Sequence, residues 1–145
     1  MTLSAIKMTA SQISEINYEA ETAYPLEACG LITGLNINSE VLRVIKIVPA
    51  KNILAPVAKH RFEVDPRTRI NLEKEIRGTE EYLIAHYHSH PDHPALPSKT
   101  DLRNVHEPNL IWIIVSVNRG KAQDLTAHRV LYNQSGFREI KILTD

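Results

Sequence analysis

The sequence predicts one layered α/β (α+β) domain: a mixed β-sheet with about three helices packed on it. Three observations carry this. Runs rich in Val, Ile and Leu, bounded by turn residues, alternate along the chain with segments of helical spacing. The length of 145 residues suits a single domain with one sizeable core. Composition is that of an ordinary globular protein, 43% hydrophobic and 23% charged, with no repeat, no low-complexity tract and no Gly/Ser linker.

Residues 5–8 read as a short first strand. Thr9 and Gln12 then form a T-x-x-Q capping box, which satisfies two free backbone donors at a helix start. Ile13, Ile16 and Ala20 follow at helical spacing, placing a helix over 10–23 that Pro25 ends. Residues 31–33 read as a buried strand, stopped by Gly34 and the Asn36, Asn38, Ser39 turn cluster. The run 41–48, broken only by Arg43 and Lys46, is the next strand. Residues 49–59 form a loop containing Pro56, and 61–64 a short strand. Asp65-Pro66 starts a helix, with a capping carboxylate followed by proline at the first helical position. It runs to about residue 77 and stops at Gly78, and its thin apolar stripe (Ile70, Leu72, Ile76) places it on the surface.

Residues 82–88 form a strand, and a Pro-rich loop over 91–97 leads to a helix near 99–106. Residues 109–117 are nearly all apolar and read as a central strand buried on both faces. Strands at 125–132 and 137–143, joined by an Asn133-Gln134-Ser135-Gly136 turn, close the chain.

Lys+Arg and Asp+Glu balance at 17 each, so charge gives no case for nucleic acid or an anionic membrane as partner. The start MTLSAIKMTA lacks the basic and apolar regions of a signal peptide. The longest strongly apolar run, 110–115, falls far short of the roughly 20 residues a spanning helix needs. A single cysteine cannot form an internal disulfide, and these features together read as cytoplasmic and reduced.

Four of the seven histidines (His86, His88, His90, His93) fall within eight residues. Residues i and i+2 of a strand share a face, so His88 and His90 can reach one ion together while Ser89 points away. A third ligand must come from elsewhere, and Asp101 lies one helical turn beyond Ser98. Two imidazoles and a carboxylate leave a fourth position for water, whose pKa zinc lowers to about 7. Such a site also needs a general base and an oxyanion donor. Ser98 is the candidate donor. Glu27, at the Pro25-Leu26-Glu27 break before a buried strand, is the candidate base.

Plainer readings exist for each part. Ser98-x-x-Asp101 is also a capping box, His-x-His also occurs in cores, and Glu27 alone reads as a solvated boundary carboxylate. Cys29, sharing the Glu27 strand face by parity, reads as a buried packing residue. His86 shares the His88 face and reads as a supporting or packing group rather than a third imidazole ligand. Trp112 reads as core, and Arg61, Arg67 and Arg69 as a solvated basic edge. A rival metal motif overlaps the first. His88 to His93 spells H-x-H-x-D-H, the opening of a metallo-β-lactamase-type site, with His106 and His128 as further ligands. That fold needs a longer chain and small residues where Pro94 stands. A zinc deaminase needs a Pro-Cys-x-x-Cys pair, which one cysteine cannot supply.

His88-Ser89-His90-Pro91, the seven residues from His90 to Ser98, the two between Ser98 and Asp101, and the upstream glutamate resemble the JAMM (MPN-plus) metalloprotease motif. Pro25-Leu26-Glu27-Ala28-Cys29-Gly30-Leu31 looks like the segment carrying that family's catalytic glutamate. The loop containing Asn52 and the stretch Arg61-Phe62-Glu63-Val64-Asp65-Pro66 follow in the family's order. The resemblance implies one JAMM/MPN-plus domain over 1–145, with a cytidine-deaminase-like curved sheet between helices. It implies one zinc ion per chain on His88, His90 and Asp101, Glu27 as base and proton carrier, and Ser98 at the oxyanion.

The implied activity is zinc-dependent peptidase or isopeptidase cleavage after the C-terminal Gly-Gly of a ubiquitin-like sulfur carrier or modifier. An amino acid such as cysteine, or a conjugated protein, would be released. Only glycine lets a backbone pass that close to the metal. The chain is too short for the two large insertions of the chain-linkage-specific eukaryotic relatives. A non-catalytic, metal-stabilised module that grips a ubiquitin-like tail is the remaining alternative.

Overall fold

The computed structural model describes residues 2–58 and 60–145. Met1, the first residue of the segment read for a leader, and Lys59, the last of the expected 49–59 loop, lie outside the described residues. The elements in order are β1 (Ala5–Met8), α1 (Ala10–Ala23), β2 (Cys29–Asn36), β3 (Val41–Ala50), α2 (Pro66–Ile76), β4 (Tyr82–Pro91), α3 (Lys99–Arg103), β5 (Ile111–Asn118), β6 (Lys121–Val130) and β7 (Phe137–Thr144), with a 3-10 turn at Tyr132–Gln134 before β7.

The strands run in the order β1-β3-β2-β4-β5-β6-β7, and β1 pairs in parallel with β7, so the mixed sheet closes into a barrel. The β1–β3 and β4–β5 pairs are also parallel, and the rest are antiparallel. The expected α/β architecture with three helices is what forms.

Helix α1 packs on one face of the sheet. Thr9 Oγ1 accepts from the Gln12 amide at 3.1 Å, and Gln12 Oε1 accepts from the Thr9 amide at 2.9 Å. The Gln12 side chain also donates to the Val44 carbonyl at 3.2 Å, so the cap ties α1 to β3. Ile16 and Ala20 enter the main core with Ile6, Met8, Ile32, Tyr87, Ile113 and Val115. Full burial of each large apolar side chain contributes about 1.5–3 kcal/mol. Gly30 is required here, because a Cβ would run into the Tyr87 ring.

Helix α2 covers part of the opposite face. Asp65 caps it by accepting from the Arg67 amide at 3.0 Å, with Pro66 at the first helical position. Leu72 and Ile76 pack on Leu31, with Val48, Val64 and Leu83 around them, while Ile70 stays exposed. The face of β4 and β5 beyond α2 carries His86, His88, His90 and Trp112, and is the surface on which the site is built.

Five details differ from expectation. Strand β2 is not stopped by Gly34 but runs from Cys29 to Asn36, because Gly34 is paired on both sides, with Val44 and Tyr82. Residues 61–64 are not a strand; one bridge, Asn52 to Val64, stands in for a ladder. The Asn52 side chain takes the Glu63 amide and the Arg61 carbonyl instead. Helix α3 ends at Arg103 rather than near 106, as the Asn104 amide turns back to the Thr100 and Asp101 carbonyls. Pro108 disfavours a helical conformation at Glu107. Strand β4 continues to Pro91, because β5 pairs with it as far as Pro91↔Val117. Strand β6 starts at Lys121 instead of 125 and ends at Val130. Arg119 and Gly120, both at positive φ (51° and 85°), make a tight hairpin with β5.

Candidate metal centre

Parity places His88 and His90 together at the C-terminal end of β4, where the chain leaves for the Pro-rich loop and α3. The return is set by the cap of α3. Ser98 Oγ accepts from the Asp101 amide at 2.9 Å, and Asp101 Oδ2 accepts from the Ser98 amide at 2.8 Å. The capping box is present, and the bonds that start α3 also aim the Asp101 carboxylate at the two imidazoles.

Three edges define the result. His88 Nε2 and His90 Nε2 lie 3.1 Å apart, Asp101 Oδ1 is 3.4 Å from the first, and Asp101 Oδ2 is 3.3 Å from the second. Tetrahedral ligands about 2.0–2.1 Å from a zinc ion stand roughly 3.3–3.4 Å from one another. The donor chemistry, two imidazole nitrogens and a carboxylate oxygen, suits such an ion, and the separations lie near these values. All three residues are buried, and they are the group of potential ligands that converges among the described residues.

The surroundings act differently on the two imidazoles: burial lowers the pKa of His90, but its hydrogen bonds to Asp101 and to the Pro94 carbonyl outweigh this and raise it above its ordinary value. His90 Nδ1 lies 2.8 Å from the Pro94 carbonyl. With a ring N–H donated there, loss of the proton that Nε2 shares with Asp101 would leave Nε2 as the lone pair for a metal. Burial depresses the pKa of His88 and keeps its imidazole neutral. Burial alone would raise Asp101, but hydrogen bonds from His88 and His90 outweigh it and hold the carboxyl well below its usual range. Phe62 lies flat against His88, and Trp112 meets both His86 and His88 edge-on. His86 is thus a packing group, and its buried Nδ1 has no partner.

Glu27 is buried beside this triangle, and burial pushes its carboxyl up to about 8, with His90 acting against the shift and Asp101 with it. It lies just before β2, which begins at Cys29, rather than on it. Cys29 is a packing residue: its Sγ sits 3.9 Å from the Ala50 carbonyl, and burial, then Glu27, pushes the thiol up to about 12.

Two clefts adjoin the triangle. One, of about 370 Å³, is lined by Phe62, Val64, Arg69, His86, Glu107 and Trp112 among others. The second, of about 310 Å³, is bounded by His60, His90, His93, Pro94, Leu96 and Ser98 and opens directly on His90 and Ser98.

The structure does not assemble the rival motif. Asp92 accepts from the Tyr24 hydroxyl at 2.7 Å and the Arg119 amide at 2.9 Å. His93 meets His60 edge-on, His128 bonds Thr126, and His106 lines the larger cleft. The expected solvated basic edge holds for Arg61 and Arg67, both exposed, with Arg67 also meeting Asp65, whereas Arg69 is tied to Glu73 and Glu107. Three neighbours of the site escaped sequence reasoning. Phe62 sits in what reads as a strand, Asn52 looks like an ordinary loop residue, and Ser89 was assigned only a direction. The one available signal was their position inside or opposite the segments that carry the site.

The fold and the His-His-Asp set together define a metalloprotease-like domain. The chain belongs to the family of prokaryotic homologs of the JAB domain, which it matches over residues 9–130. It is 27% identical over 121 residues to a desampylase of Haloferax volcanii, covering 83% of this chain and 80% of that protein. It is 23% identical over 130 residues to a CysO-cysteine peptidase of Mycobacterium tuberculosis, covering 90% of this chain and 86% of that one. A solution structure of a protein from Desulfitobacterium hafniense superposes with a TM-score of 0.82 at 28% identity, covering 97% of this chain and 92% of that one.

Proposed function

We propose that this chain is a zinc-dependent peptidase or isopeptidase. It hydrolyses the bond after the C-terminal Gly-Gly of a ubiquitin-like sulfur carrier or modifier and releases an amino acid, such as cysteine, or a conjugated protein. The observation that carries this reading is the triangle of His88, His90 and Asp101, whose edges suit a tetrahedral zinc ion. The names of the desampylase and CysO-cysteine peptidase relatives support the substrate class. In this reading one domain spans 1–145 and works in the cytoplasm, without nucleic acid or membrane as partner. No helix among the described residues is long and apolar enough to cross a membrane.

His88, His90 and Asp101 would hold the zinc ion, one per chain. When bound, zinc supplies Lewis-acid activation of water and of the scissile carbonyl. Glu27 accepts the proton of the attacking water and later delivers it to the leaving amine; a carboxyl lifted toward neutrality by burial suits both tasks. Ser98 Oγ uses a lone pair to accept the Asp101 amide, which leaves its O–H free to donate to the oxyanion of the tetrahedral intermediate. Phe62 and Trp112 keep water from the side of His88.

The test is turnover of a Gly-Gly-linked conjugate. Cleavage is expected to stop on chelation, return with zinc, and be lost in Glu27→Gln while the fold persists. Tail binding with no turnover under any metal loading would assign the chain to non-catalytic binding instead.

A further inference from the structure

Resting on Glu27 as the base, we infer that Asn52 and Ser89 are the positioning residues that aim it. Among the described residues no hydrogen bond holds the Glu27 carboxylate itself, so its direction is set by its backbone. That backbone lies outside the sheet, since β2 begins at Cys29. Two buried side chains replace the missing ladder. The Asn52 amide donates to the Glu27 carbonyl at 3.1 Å. Ser89 takes both polar groups of Ala28: its Oγ accepts from the Ala28 amide at 2.8 Å, and its own amide donates to the Ala28 carbonyl at 3.1 Å.

Each clamp reaches back to the metal triangle by a different route. Ser89 stands between His88 and His90 on β4, pointing to the other face, so the strand that carries two ligands also grips the base segment. Asn52 additionally donates to the Arg61 carbonyl at 3.2 Å and accepts from the Glu63 and Leu54 amides at 3.0 and 3.1 Å. The residue between Arg61 and Glu63 is Phe62, which covers His88. One side-chain amide thus sets the base and the wall over a ligand in a common frame. A buried amide or hydroxyl with all its bonds made holds a geometry firmly, and a displacement of about 1 Å at a reacting group costs on the order of 10²-fold in rate.

Asn52→Asp and Ser89→Ala separate positioning from general folding. Asn52→Asp keeps the acceptor for Leu54 and Glu63 but loses the donor to Glu27 and to Arg61. Ser89→Ala loses only the hydroxyl, and Ser89→Thr retains it. Both disruptive variants are expected to keep zinc stoichiometry and KM while kcat falls roughly 10- to 100-fold. In metal-free protein, Ala28 amide hydrogen exchange, read by NMR, should accelerate in Ser89→Ala and return toward normal in Ser89→Thr, with kcat restored alongside. Unchanged kcat in both disruptive variants, or a rise in KM alone, overturns the inference. So does unchanged Ala28 exchange in Ser89→Ala. Should Asn52→Asp fail to fold, the Ser89 pair decides alone. Full activity in Glu27→Gln would remove the base assignment, whereas a dead Glu27→Gln beside fully active clamp variants would remove only the clamp.

Discussion

Phe62 stacks on His88 with ring centroids 4.3 Å apart and planes 15° from parallel. The contact fixes the ring plane of a fully buried imidazole whose Nδ1 has no hydrogen-bond partner to orient it. Groups that orient a ligand from outside typically change metal affinity by about 10- to 100-fold when removed. Phe62→Ala is therefore expected to weaken zinc binding about tenfold in competition with a chelator, and Phe62→Leu to weaken it less.

Asp101 serves the cap and the metal triangle with the same carboxylate, and substitution can split the two roles. Asp101→Asn keeps an oxygen for the Ser98 amide, so the metal-free melting temperature should move little. The rise in melting temperature on adding zinc should vanish; a ligand present at 100 times its Kd stabilises by about 2.7 kcal/mol. Ser98→Ala removes an N-cap, costing about 1 kcal/mol, and should lower kcat by roughly 10²-fold through the lost oxyanion donor.

Asp92 gives a pH signature separate from the metal. The Arg119 amide, then the Tyr24 hydroxyl, hold its carboxyl below the usual 3.8. With the folded value below the unfolded one, the stabilisation is complete above the unfolded pKa and is lost as pH falls through the folded value. Asp92→Asn tolerates the positive φ of this position. It should lower stability at neutral pH and flatten the acid limb of a melting-temperature profile. Zinc binding should be unaffected, the opposite of what an H-x-H-x-D-H site would require.

Gly30 and Gly136 make a matched pair for the core. A methyl group at Gly30 meets the Tyr87 ring, whereas at Gly136 it finds Leu131 at an ordinary 3.8 Å. Gly30→Ala should cost about 1–3 kcal/mol in chemical denaturation, and Gly136→Ala should stay within about 0.5 kcal/mol.

Local chemistry made most of the architecture readable. Thr9 with Gln12, and Asp65 with Pro66, announce α1 and α2 because a cap is a short-range arrangement of side chain and backbone. His88, His90, Ser98 and Asp101 were readable by spacing, since strand parity and one helical turn decide where they point. Long-range choices were not readable. Nothing local in residues 5–8 or 137–144 says that β1 will pair with β7 and close the sheet. The alternation at 61–64 looks like a strand until the Asn52 side chain, about ten residues earlier, takes the hydrogen bonds a ladder would have used. Asn52 and Ser89 carry no mark of their task, because each acts on a backbone segment distant in sequence.

The parallel β1–β7 seam also constrains how an extended tail can be recognised. An open sheet offers a visiting chain a row of unpaired amides and carbonyls, and many peptide-binding domains use it by adding the guest as one more strand. Here every barrel strand already has a neighbour on both sides. The edges that remain are partial: β1 covers β3 only at Val41–Arg43, and β7 covers β6 only at 127–130, so a guest strand would have to add at the uncovered part of β3 or β6, or be held by side chains around the clefts beside His90. The same seam removes β1 and β7 as free edges on which other copies of the chain could template.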